Sequence, residues 1–431
     1  MLKTNATMRE RDLANIWHPC SQMKDYETLP FIPIKSGKGA YLTDFDNNVY
    51  LDCISSWWVN IFGHSNPYIN EKIKEQLETL EHVIFAGFTH ESGIRLAERL
   101  VALTPKGLDK VFFADNGSSA IEIALKMSFQ YYKNQGQVRE VFISLENSYH
   151  GETMGALAVG DVALYKEIYG EILIKTVQAK SPALVSEDEA LASMEELFNT
   201  YHDKISAVVI EPLVQCAGSM AMYDASYITK LKVLCEKYGV FMIADEIAVG
   251  FGRTGTMFAC EQADITPDFM CLSKGITGGY LPLSCVMTTN EVYNAFYCDY
   301  GEGKSFLDSH SYTGNALACA AANATLDIFE NENVIENNKM KIDALSIMIE
   351  PFKKLSNVKE VRQRGMIAAI ELEGYKSEER IGLKVYQYAL TNGVLLRPLG
   401  NVVYFMPPYI ISEDEMKKMV EIAYKAVVEI A

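Results

Sequence analysis

Val240-Phe-Met-Ile-Ala-Asp245-Glu246 is an apolar run that ends in two acids, and Asp268-Phe-Met-Cys-Leu-Ser273-Lys274-Gly275 carries a second apolar run that ends in a lysine. Short continuous runs of apolar and aromatic residues predict strands covered on both faces, as in a parallel sheet. In such sheets ligands gather beyond the carboxyl ends of the strands. Asp245 and Lys274 therefore stand where a site is expected. Between them, Gly250-Phe-Gly-Arg-Thr-Gly255 is a glycine-rich loop carrying one arginine, a tight surface turn on its own reading.

The same alternation extends upstream. Lys110 to Ala114 predicts a strand and Ser118 to Lys133 a helix. Glu140 to Leu145 predicts a strand followed by a loop, and Ala207 to Pro212 a strand followed by a helix over Ser226 to Tyr238. Strands at helix-length intervals predict an α/β domain with a mainly parallel central sheet. Nearer the start, Tyr41 to Asp52 predicts a hairpin around Asp46-Asn47-Asn48, and helices are predicted from Asn66-Pro67 and from Ser92 to Leu103. Beyond about residue 335 the pattern resets. A helix over 335–352, strands at Val358 to Arg364, Met366 to Leu372 and Val394 to Pro398, and helices at 377–391 and from Ser412 predict a smaller α+β domain. The boundaries fall at 1–64, 65–330 and 331–431, the first segment contributing to the small domain and to an active-site wall.

The chain has 431 residues, enough for two or three domains. Lys and Arg number 39 against 56 Asp and Glu, a formal charge of −17. That balance opposes generic binding to nucleic acid or to anionic membranes. No apolar run approaches the length of a membrane span, and residues 1–20 lack the apolar core of a secretory signal. The nine cysteines include no CxxC pair, and the seven histidines show no ligand spacing, so no metal site is predicted. A cytoplasmic protein with mostly buried, reduced thiols is expected.

Three features carry chemistry. Asn116-Gly117-Ser118-Ser119 follows a strand and opens a helix, which serves either as an ordinary N-cap or as a cradle for a phosphate monoester. It lacks the lysine of an ATP-binding loop and the spacing of a dinucleotide fold. Asp245 pairs with a cationic ring nitrogen or a metal, or simply caps the next turn. Lys274 either faces solvent or, if desolvated, offers an amine able to condense with an aldehyde. His150 in Ser148-Tyr-His-Gly151 reads equally as a base and as a satisfied loop residue. Pyridoxal 5′-phosphate (PLP) needs a phosphate cradle, a carboxylate for its ring nitrogen and an amine for its aldehyde. Arg397, before Pro398, is the cation best suited to a substrate carboxylate, with an ion pair at a domain edge as the other reading.

Ile243-Ala-Asp-Glu-Ile-Ala-Val-Gly-Phe-Gly-Arg-Thr-Gly255 followed by Pro267-Asp-Phe-Met-Cys-Leu-Ser-Lys-Gly-Ile-Thr-Gly-Gly279 resembles the class III aminotransferases of PLP fold type I. The likeness runs along nearly the whole chain. Trp17-His-Pro-Cys-Ser-Gln-Met23, Ser55-Ser-Trp-Trp-Val-Asn60, Tyr149-His-Gly-Glu152 and Arg397 to Pro408 narrow it. These resemble a branch that aminates an oxo-acid of biotin synthesis with S-adenosylmethionine as donor, lysine serving in some relatives.

The resemblance implies a PLP-binding large domain and a homodimer with active sites at the subunit interface. It gives Lys274 as the covalent anchor of PLP and proton carrier, Asp245 as partner of the pyridine nitrogen, and Tyr149 stacked on the ring. Gly117 and Ser118 bind phosphate, with Ser311 lent by the other subunit. Trp57, Trp58 and Arg397 line the substrate site, with Glu211 and Arg253 as active-site neighbours. Three departures stand out. Cys20 occupies a wall position where many relatives carry tyrosine, His310 replaces a proline near the phosphate site, and Glu152 replaces a common aspartate.

Overall fold

The computed structural model describes residues 3–29 and 31–430. Its largest sheet has seven strands in the spatial order Lys110–Ala114, Ser284–Thr288, Phe269–Leu272, Phe241–Asp245, Ile205–Ile210, Val141–Leu145 and Val177–Ala179. All neighbours run parallel except Ser284–Thr288, which is antiparallel to the strands on both sides. That strand was not anticipated from sequence. The expected strand at Ala207 to Pro212 lies two residues earlier, because Pro212 has no N–H to give to a neighbour.

Every residue of Ile205–Ile210 and of Phe241–Asp245 is buried. Each large aliphatic side chain so placed contributes roughly 1.5–3 kcal/mol by leaving water. Helices cover both faces. The helix Gly117–Asn134 is capped by Asn116, whose Oδ1 accepts the Ser119 N–H at 3.0 Å. Residues 146–206, read as loop after the strand at Leu145, also contain the helix Glu187–Tyr201.

The smaller part holds an antiparallel sheet of Val358–Arg364, Ile367–Leu372 and Val402–Phe405. Against it lie the helices Val334–Ile349, Ile381–Thr391 and Glu413–Ile430. A third sheet joins distant parts of the chain. The hairpin Tyr41–Asp44 and Val49–Asp52 has Ile34–Lys38 on one side and Val394–Leu395 on the other, the last pairing in parallel with Leu51 and Asp52. Among the described residues no helix is long and apolar enough to cross a membrane.

Candidate active site

At the carboxyl ends of the central strands lies a cavity of about 210 Å³. Asp245 closes one strand and Lys274 follows the next, so adjacent parallel strands bring acid and amine to one wall. The Asp245 carboxylate is fixed from two sides. Its Oδ1 accepts the Ile247 N–H at 3.1 Å, and its Oδ2 meets Nδ1 of buried His150 at 2.8 Å. His150 thus resolves as the orienting partner of Asp245, a role that its place in the sequence left open.

Burial pushes the Lys274 amine below its ordinary range, with Asp245, Cys216 and Glu211 pulling the other way. Its Nζ sits 4.8 Å from the centre of the Trp58 ring. Glu211 lies in the same cavity and takes the N–H groups of Tyr149 and Cys216, each at 3.0 Å. Burial, aided by the charge of Asp245, drives its pKa up to about 7.

The first turn of the helix Gly117–Asn134 also borders the cavity. Gly117 and Ser118 line it, while the Asn116 side chain satisfies only the Ser119 N–H. An N-terminal turn with open N–H groups attracts anions. Gly151 packs directly on this turn with φ of +127°, and a Cβ there would fall 2.0 Å from Ser118 Oγ. Tyr149 also lines the cavity, its hydroxyl donating to Glu152 Oε1 at 3.0 Å.

Trp57 and Trp58 ride on an unusual turn. Ser55, Ser56, Trp57 and Trp58 have φ of 50°, 46°, 73° and 74°. Four successive L residues in left-handed backbone cost roughly 1–2 kcal/mol each, so the surroundings must impose the shape. Trp58 Nε1 donates to the Tyr404 hydroxyl at 3.0 Å. Trp57, exposed and outside the cavity lining, stacks under the Arg397 guanidinium, whose Cζ is 4.3 Å from the ring centre. Cys20 is exposed beside the hydroxyl of Tyr165, whose ring lies 5.2 Å from that of Tyr149.

Five expected residues are not among those lining the cavity: Cys20, Trp57, Arg253, Ser311 and Arg397. Arg253 does not line the cavity but sits behind it, 1% exposed. Its guanidinium donates to the carbonyl of Pro407 at 2.6 Å and to those of Met406 and Trp58 at 3.5 and 3.4 Å, and stacks on Tyr409. With Nη1 and Nη2 given to backbone carbonyls and Nε buried without a partner, it braces the Trp58 wall. Ser311 is on an exposed turn away from this chain's cavity. That turn is tied down by His310 Nδ1 to Asp115 Oδ2 at 2.9 Å and by Asp308 to Lys126 at 2.6 Å. Tyr404, Tyr165 and Asp52 were not picked out from sequence. Only Tyr404 carried a signal, as part of the Arg397 to Pro408 stretch.

The family description "Aminotransferase class-III" matches residues 22–427. An adenosylmethionine-8-amino-7-oxononanoate aminotransferase of Helicobacter pylori is 52% identical over 416 residues, covering 95% of each chain. The crystal structure of a protein of the same description from Methanocaldococcus jannaschii is 39% identical, with a TM-score of 0.96 and 99% of each chain covered. An amine transaminase from an uncultivated Pseudomonas species, solved in its PLP-bound form, is 30% identical with a TM-score of 0.90, covering 97% of this chain and 99% of its own.

Proposed function

The chain belongs to the class-III aminotransferases; on that premise we propose that it uses PLP to move an amino group from S-adenosylmethionine to 8-amino-7-oxononanoate, giving 7,8-diaminopelargonate in biotin biosynthesis. The observation that carries the reading is the meeting of Lys274, the Asp245–His150 pair and the Gly117–Ser118 turn in one cavity. The 52% identical relative supports the choice of substrates.

The residues fit the cofactor. The helix turn and the Ser118 hydroxyl suit a phosphate monoester, and the missing Cβ of Gly151 leaves that hydroxyl in place. Asp245 offers a carboxylate held rigid by His150 and the Ile247 N–H, as needed to keep a proton on a ring nitrogen. When bound, PLP supplies an aldehyde for amines and a cationic ring that stabilises charge developing at the substrate α-carbon.

The protein does the rest. Lys274, its basicity lowered by burial, takes a proton at Nζ and returns it. Trp58, held by Tyr404 and Arg253, walls the amine from water. Arg397, flattened on Trp57, presents a planar fork to the acceptor's carboxylate. In the same reading the working unit is a cytoplasmic homodimer in which each subunit lends Ser311 to its neighbour's phosphate site. The exposure of Ser311 outside its own cavity supports that arrangement.

Lysine is the rival donor for the same acceptor and a sibling class III ω-aminotransferase the rival enzyme, since exposed Cys20 beside Tyr165 stands where many relatives carry tyrosine. A panel of S-adenosylmethionine, lysine, ornithine and glutamate against one acceptor tests the reading. S-adenosylmethionine should win by at least ~10-fold, about 1.4 kcal/mol of discrimination. Lysine equal or better overturns the donor. No amination of 8-amino-7-oxononanoate with any donor overturns the acceptor.

A further inference from the structure

The left-handed turn Ser55–Trp58 is held from outside, and one carboxylate makes four bonds there, two of them to Ser56 within the turn. Asp52 is 0% exposed and does not line the cavity. Its Oδ1 accepts the N–H groups of Ile54 at 3.3 Å and Ser56 at 3.0 Å. Its Oδ2 accepts the Ser56 hydroxyl at 2.7 Å and faces His64 Nε2 at 2.9 Å. His64 reaches on through Nδ1 to Asn60 Nδ2 at 3.1 Å, and the Asn60 N–H returns to the Ser55 carbonyl at 3.0 Å. A closed ring of bonds therefore runs from Asp52 through His64 and Asn60 back into the turn. His64 is itself anchored, exchanging backbone bonds with Gly39 at 3.0 and 2.7 Å.

Nothing in the turn's own residue types favours φ near +50° to +74°, since each carries a Cβ that the left-handed region crowds. Returning any of them to right-handed or extended backbone would swing its Cα–Cβ bond and carry the indoles off their partners. Trp57 would leave Arg397, and Trp58 would leave Lys274.

We propose that Asp52 is a positioning residue for aminotransfer: by latching the left-handed turn, it sets Trp57 under Arg397 and so aims the guanidinium at the substrate's carboxylate. The inference rests on the function proposed above in taking Arg397 as the carboxylate-binding group. Trp58 has the Tyr404 and Arg253 bonds besides, so loss of the latch falls mainly on Trp57 and Arg397.

The test is a double-mutant cycle on the dimeric holoenzyme. The half-reaction is followed by the cofactor's absorbance change with whichever carboxylate-bearing amine the parent accepts. Failure of the biotin-pathway substrates therefore leaves this test standing. Asp52→Ala should raise KM by about 10-fold with kcat lowered less than ~3-fold, the pattern of lost uniform binding. In an Arg397→Ala background the same change should raise KM by less than ~2-fold. A merely structural role would add its full penalty in both backgrounds. Asp52→Asn keeps an acceptor for the two N–H groups and should restore most of the affinity. Adding Ser56→Gly to Asp52→Ala should recover at least ~3-fold, because glycine takes positive φ without a Cβ penalty. An unchanged KM in Asp52→Ala, equal penalties in both backgrounds, or no recovery with glycine overturns the proposal. If Asp52→Ala fails to fold, Ser56→Ala, which removes only the hydroxyl bond to Asp52, should raise KM by ~3-fold or more. No change there overturns it equally.

Discussion

Replacing Gly151 with alanine should weaken the hold on PLP more than it weakens the fold. The new Cβ would sit 2.0 Å from Ser118 Oγ, 2.7 Å from its Cβ and 2.9 Å from its Cα. The last two belong to the first turn of the helix Gly117–Asn134, so rotating the hydroxyl away cannot relieve the clash. Strain at φ of +127° costs about 1–3 kcal/mol and is carried by the protein with or without cofactor. In a chain of 431 residues that lowers the apo-protein Tm by a few degrees at most. The displaced serine matters only when a phosphate is present. A hydrogen bond to a charged group is worth about 1.5–3 kcal/mol, equivalent to a 10- to 150-fold loss of affinity. Titrating apo-protein with PLP, with protein fluorescence as the signal, reads that loss directly, and calorimetry on the same samples reads the strain. An alanine variant that binds PLP within ~3-fold of the parent would refute the assignment of this turn as the phosphate cradle, whatever happens to Tm.

Three further outcomes are expected. His150→Ala leaves Asp245 without its 2.8 Å partner and should lower kcat by about 10- to 100-fold, with far less effect on PLP retention in the same titration. Arg397→Lys exchanges a planar, ring-stacked fork for a point charge and should raise acceptor KM by about 10-fold in steady-state assays, with kcat nearly unchanged. Glu246 is wholly buried, and burial raises its pKa from an ordinary 4.5 to about 7 against the N–H bonds of Ala259 and Cys260. A raised carboxyl favours the fold fully below about 4.5, and that contribution is lost as pH climbs through about 7, at most about 3 kcal/mol. Glu246→Gln cannot ionise, so its Tm should fall less steeply than the parent's over that window. An equally steep fall by calorimetry would refute the reasoning.

The sequence made the chemical centre easier to read than its walls. Asp245 and Lys274 end apolar runs that only a sheet buried on both faces requires, so their positions follow from local pattern. The strand Ser284–Thr288 escaped notice because it reverses direction and has no crossover helix before it to mark it. Arg253 in its glycine-rich loop gave no local sign of burial. Its charge is absorbed by carbonyls of Trp58, Met406 and Pro407, all more than 150 residues away. The turn at Ser55–Trp58 was equally hidden, since Ser-Ser-Trp-Trp has no preference for positive φ. Part of what imposes it is again remote, the Ser55 hydroxyl donating to the Met406 carbonyl at 2.8 Å.

The parallel pairing of Leu51 and Asp52 with Val394 and Leu395 has a consequence for biogenesis. Trp57 and Trp58 follow one side of this seam and Arg397 the other, the two sides of the proposed substrate entrance, while Tyr404 belongs to the strand paired with Ile367–Leu372. During synthesis the seven central strands, complete by Thr288, can register with one another long before residue 394 has been added. A nascent chain thus owns Lys274 and Asp245 well ahead of the proposed substrate mouth, and that doorway is hung only when the C-terminal part of the polypeptide comes back to meet the N-terminal part.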